Sequence, residues 1–175
     1  RGPVAVAPHA REVLEVSRTV FRAVIVAPKG NRHARKRLRA YQFTGLARHR
    51  IWRVGLGAGL MRDVQFISEL IDTLEAAYNI DKTRIYANGL SNGGGMAFVL
   101  SCTLSDRIAA VGMVASALFL PWNACTDHRP VPMIAFHGTA DPVVPYNGGT
   151  SWVAPRPFPN VPAWTANWAE RNRCA

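Results

Sequence analysis

Acidic residues are scarce in this 175-residue sequence: 11 Asp and Glu stand against 21 Lys and Arg, a formal charge of +10. Cysteine is scarcer, with only Cys102, Cys125 and Cys174. None forms a CxxC pair and none has a His at metal-ligand spacing, so a zinc site has no support. No apolar run approaches the ~18 residues of a membrane-spanning helix. No charged-then-apolar leader opens the chain, and there are no internal repeats. An initiating Met is also lacking, and we expect a processed or cut piece. Disorder is excluded, because 49% of the residues are apolar and the mean hydropathy is zero.

What is present divides unevenly. Residues 1–60 hold 13 Lys and Arg against Glu12 and Glu15, a balance of +11; the remaining residues hold 8 against 9, a balance of −1. We read residues 1–60 as an atypical basic segment within one domain spanning 1–175. Its centre, Lys36-Arg37-Leu38-Arg39, has no clear period and reads as an exposed basic loop or irregular helix. The alternative is a polyanion- or nucleic-acid-binding segment at residues 29–53, with Tyr41, Phe43 and Trp52 available to stack on bases. A solvated basic face is the simpler reading. Gly55-Leu56-Gly57-Ala58-Gly59 has a third glycine one place too early for a dinucleotide loop.

From residue 61 onward the periodicities are regular. Asp63 is placed to cap a helix running to about Asn79, with Phe66, Ile67, Leu70, Ile71 and Leu74 on one face. Short apolar runs at 84–87, 110–115 and 133–136 suit buried parallel strands. Gly89 to Gly95 reads as a Gly-rich turn, Met96–Leu104 as a helix, and Trp164–Asn172 as a closing amphipathic helix. Ala23–Ala27 is a further strand, and Val4–Ala7 a candidate for another. Helices alternating with short apolar strands predict an α/β fold with a mainly parallel sheet and helices on both faces.

The residues that carry chemistry are Gly89-Leu90-Ser91-Asn92-Gly93, a GxSxG motif between a predicted strand and a predicted helix. That setting is the one a nucleophile elbow needs: the Ser sits on a strained turn, and bulk at either Gly would strike neighbouring backbone. The following helix N-terminus offers N–H groups to an oxyanion, with the Asn92 amide as first candidate donor. The bland alternative is a Gly-rich connection with an incidental Ser. Fifty residues on, Ala135-Phe136-His137-Gly138-Thr139-Ala140-Asp141 ends a predicted strand. Asp141 is well placed as an acid that orients a His. His137 precedes that acid by only four residues, and we read it as tying the loop through a backbone hydrogen bond. Trp122 and Trp152 read as packing aromatics, with stacking on a sugar or aromatic acid as the alternative. The cysteines leave two readings open: three buried thiols, or a Cys102–Cys125 bridge with Cys174 unpaired.

Together these stretches resemble the polyhydroxybutyrate-depolymerase-like esterases, the α/β-hydrolase group that includes feruloyl and acetylxylan esterases. The resemblance runs from about Arg62 to Cys174. It includes Asp63-Val64-Gln65-Phe66-Ile67, Tyr78-Asn79-Ile80-Asp81, Leu104-Ser105-Asp106-Arg107-Ile108, His137-Gly138-Thr139-Ala140-Asp141-Pro142-Val143-Val144-Pro145-Tyr146 and Trp168-Ala169-Glu170-Arg171-Asn172-Arg173-Cys174. It implies a serine esterase with Ser91 as nucleophile and Asp141 as triad acid, needing no metal or cofactor and secreted or periplasmic. The implied substrate is a feruloyl, acetyl-xylan or polyhydroxyalkanoate ester, in a plant cell-wall polysaccharide or a polyester. The family places cysteines at the positions of Cys102 and Cys125. Its triad His comes after the stretch ending at Cys174; His9, His33, His49 and His128 all precede Asp141. The expectation is therefore an α/β-hydrolase domain lacking its C-terminal part, with a second polypeptide as one source of the His. A catalytically inactive hydrolase-like fragment is the alternative. The N-terminal third also departs from the family, since Val4–Ala10 lacks the Gly of its oxyanion loop.

Overall fold

The computed structural model describes residues 22–28, 39–42, 58–117, 125–126 and 129–174, with side chains from residue 60 onward. Among these described residues, seven strands and three helices follow in the order β1 (Arg22–Pro28), β2 (Arg39–Gln42), α1 (Ala58–Ala77), β3 (Ile80–Leu90), α2 (Asn92–Thr103), β4 (Ala110–Val114), β5 (Met133–Phe136), β6 (Gly149–Ser151), β7 (Ala154–Phe158) and α3 (Val161–Arg171). Five strands form one sheet in the order β2-β1-β3-β4-β5. The β3–β4 and β4–β5 pairs are parallel, whereas β1 runs antiparallel to both β2 and β3. β6 and β7 form a separate hairpin.

The register divides the parallel strands into an inner and an outer face. Ala87 pairs with Val111 and Val111 with Met133; Gly89 pairs with Met113 and Met113 with Ala135. Ile85, Ala87, Val111 and Met113 join one buried cluster with Leu60, Val64, Ile67, Ile71 and Leu74 of α1, Met96 to Leu100 of α2, and Trp164 and Trp168 of α3. Among the described residues, all three helices pack on this face. The alternate rows, Asn88–Gly112–Ile134 and Leu90–Val114–Phe136, carry the exposed apolar side chains Leu90, Val114, Ile134 and Phe136.

The α1 stripe at 60, 64, 67, 71 and 74 follows the helical period. Phe98 packs edge-on against Trp164 and tilted against Trp168, with ring centres 5.3 Å away in each case. The Trp168 indole donates to the Val131 carbonyl at 3.0 Å, pinning α3 to the lead-in of β5. α3 begins where the Asn160 side chain accepts from the Ala163 amide at 2.9 Å, a cap followed by Pro162 in the first turn.

Several expectations change. Asp63 lies inside α1, which starts at Ala58. β3 extends to 80–90: β1 pairs with Ile85–Gly89 and, across a register irregularity that takes in the polar residues 81–84, with Ile80, and such distant pairing has no apolar signature. Residues 39–42, expected in a loop or irregular helix, form β2 against β1, so edge pairing overrides a patternless sequence there. Gly93 to Gly95 belong to the first turn of α2, not to a preceding turn. Val4–Ala7, Gly55–Gly57 and most of the basic 29–53 stretch lie outside the described residues. Cys102 and Cys125 form a disulfide, and Cys174 is free and exposed.

Candidate active site

Ser91 stands at the carboxyl end of β3, between that strand and the first residue of α2. Its backbone angles are φ 52 and ψ −121, in left-handed territory that favours glycine. Two backbone bonds hold it there: the Ser91 amide donates to the Val114 carbonyl at 2.8 Å, and the Gly95 amide donates to the Ser91 carbonyl at 3.0 Å. The glycines have a steric reason. A Cβ on Gly89 would collide with the backbone of Gly93, and one on Gly94 would come within 2.7 Å of the Ser116 Cβ. The strand and helix can meet at so sharp an angle only with hydrogen at both positions. Asn92 opens α2 directly after Ser91, so its amide lies in the helix's first turn.

The neighbouring strand ends in a second unusual residue. Ala115 has φ 46, and its amide donates to the Phe136 carbonyl at 2.8 Å. Two left-handed non-glycine residues thus flank Val114 on adjacent strands. The sequence carries no signal for Ala115, because alanine has no preference for this conformation.

Asp141 lies in the loop after β5, on the same carboxyl edge as Ser91 and two strands away. Strand spacing puts the ends of β3 and β5 about 10 Å apart. The Asp141 Oδ1 accepts from the amides of Val143 at 2.8 Å and Val144 at 3.0 Å, which fixes the carboxylate against its own loop. Its Oδ2 lies 3.6 Å from Nε2 of His137, beyond a hydrogen bond. That Nε2 is 2.8 Å from the Val144 carbonyl oxygen. A carbonyl only accepts, so the His137 tautomer with a proton on Nε2 satisfies the contact. The side chains of His137 and Asp141 are 5% and 14% exposed. His137 therefore has the loop-tying role expected of it, and its ring is committed to Val144.

The β6–β7 hairpin was missed in the sequence, although Asn147-Gly148-Gly149 is a turn signal; both glycines adopt positive φ, 78 and 115. The hairpin is tied to the acid loop by the Ser151 hydroxyl, which donates to the Val143 carbonyl at 2.6 Å. Among the described residues, no group of three or more His, Cys, Asp or Glu is placed to hold a metal ion.

Residues 55–153 match the phospholipase/carboxylesterase family, more than half of the chain. The chain belongs to that family. Its strand–elbow–helix unit and three parallel strands agree with a partial α/β-hydrolase fold. Among similar proteins, feruloyl esterase B of Piromyces equi is 38% identical over 129 residues, covering 70% of this chain and 24% of that protein. Feruloyl esterase C of Emericella nidulans is 32% identical over 101 residues, covering 55% and 37% respectively. A putative esterase, NocK, of Nocardia uniformis subsp. tsuyamanensis is 36% identical over 86 residues, covering 49% and 25%. The chain thus spans about a quarter to a third of the length of these relatives.

Proposed function

We propose that this chain carries the nucleophile and acid of a serine esterase that cleaves carboxylic esters through an acyl-Ser91 intermediate. The observation that supports it most is the backbone of Ser91: a serine held at φ 52 between a parallel strand and a helix N-terminus. Such strain is retained where the side chain has work to do. In this reading the Ser91 hydroxyl attacks the ester carbonyl, and its proton passes to an imidazole oriented by Asp141. The Asn92 amide and the α2 N-terminus stabilise the oxyanion, and the alcohol leaves with the imidazole's proton. Water then repeats the sequence and frees the acid.

The imidazole is not His137, whose Nε2 is engaged by Val144. We assign it to residues other than those described, in the same polypeptide or a second one. The feruloyl esterase relatives favour a feruloyl ester as substrate, ahead of acetyl-xylan or a polyhydroxyalkanoate. The Cys102–Cys125 bridge favours an oxidising, secreted or periplasmic setting. A second reading, a catalytically inactive family member, is favoured by the engagement of His137, the only histidine among the described residues.

Hydrolysis of p-nitrophenyl acetate by the full chain tests the proposal. Release of p-nitrophenol that disappears in Ser91→Ala supports it. Release unchanged in that variant refutes Ser91, and no release from the parent chain favours the inactive reading.

A further inference from the structure

Trp152 is 83% exposed, the most exposed large apolar side chain among the described residues. With Val153, 44% exposed, it forms the two-residue turn of the β6–β7 hairpin, between Ser151 and its partner Ala154. Trp164 and Trp168 have the usual fate of tryptophan and are 4% and 2% exposed. Trp152 does not pack, so the packing role expected from the sequence fails for it.

Two separate connections fix the hairpin beside the candidate site. One runs through the acid loop. Ser151, next to Trp152, donates to the Val143 carbonyl, and the Val143 amide donates to Asp141 Oδ1. The other runs through the elbow. Ser116 abuts Gly94 of α2, and the next residue, Ala117, is buried in a small cluster with Val144 and Val161, against which Val143, Tyr146 and Phe158 pack. Phe158 closes the hairpin opposite Gly149. The turn carrying Trp152 is thus attached both to the acid and to the loop that abuts the nucleophile's helix.

The geometry points to Trp152 as a platform for a six-membered ring carried by the ester, either an aromatic acyl group or a pyranose of the alcohol part. The inference rests on Ser91 and Asp141 being the ester-cleaving machinery. An indole is a rigid plane with two rotatable bonds, so little freedom is lost when a ring stacks on it. A flexible aliphatic chain gains less from a plane standing in water. Both ring types share an apolar face of ring dimensions, the aromatic one planar and the pyranose one lined by C–H groups, and two ligands distinguish them.

The test uses the full chain as Ser91→Ala, which blocks turnover, titrated with methyl ferulate and separately with xylotetraose by saturation-transfer NMR. Adding Trp152→Ala is expected to weaken at least one ligand by about three- to ten-fold, and Trp152→Phe to restore most of that loss. The ligand affected identifies the ring. The exposed side chain should be removable without change in the thermal midpoint. Absence of binding by both ligands to Ser91→Ala, equal binding after Trp152→Ala, or no restoration by Trp152→Phe would each overturn the inference. Vinyl acetate, which has no ring, separates this from the catalytic reading. Its hydrolysis should be lost in Ser91→Ala and kept in Trp152→Ala. Failure of the parent chain to hydrolyse it overturns the catalytic reading, whereas loss in Trp152→Ala alone overturns the platform.

Discussion

The amide of Ser91 donates to the carbonyl of Val114 at 2.8 Å, so the strand beside β3 holds the serine in a conformation its own side chain disfavours. Glycine pays no such penalty at φ 52 and ψ −121. Ser91→Gly is therefore expected to raise stability by about 1 kcal/mol in urea denaturation while removing the hydroxyl. A variant less stable than the parent would mean that the backbone at Ser91 is not strained.

Gly89 and Gly94 both exclude a Cβ, but for different neighbours. At Gly89 the obstacle is the backbone of Gly93, which cannot yield without breaking the elbow. Gly89→Ala should cost more than about 3 kcal/mol. At Gly94 the nearest obstacle is the Ser116 side chain, with the Gly89 carbonyl oxygen next at 3.0 Å. Gly94→Ala should cost about 1–3 kcal/mol. Ser116→Gly should recover part of that loss but none of the loss in Gly89→Ala, a coupling that a double-mutant cycle measures.

The elbow was legible in the sequence because its glycines, its serine and the flanking apolar runs all depend on local geometry. The three parallel strands were legible for the same reason: Val111, Met113 and Met133 sit in continuous apolar runs. What was not legible depends on distant partners. β2 exists because β1 offers it an edge, and β3 begins as early as Ile80 because Pro28 of β1 pairs there, beyond a register irregularity. Ala115 is left-handed because Phe136 on the next strand accepts its amide. The exposure of Trp152 likewise follows from a hairpin whose attachment runs through Ser151 and Val143, residues with no sequence signature for that contact.

His137 supports the acid without reaching it. Its Nε2 contact with Val144 closes a loop whose amides hold Asp141 Oδ1. Long-range nitrogen–proton NMR should find the proton on Nε2. His137→Ala should cost about 1–3 kcal/mol, the usual cost of leaving a buried acceptor unpaired. A ring carrying its proton on Nδ1, or a variant of unchanged stability, would contradict the loop-tying role.

Whether Ser91 forms an acyl intermediate is read directly by mass spectrometry after rapid acid quench of a reaction with p-nitrophenyl acetate. An acetyl group is expected on the peptide carrying Ser91, absent from Ser91→Ala and lost with time as water completes turnover. An acetyl group found only on other residues, or equally in Ser91→Ala, would contradict it.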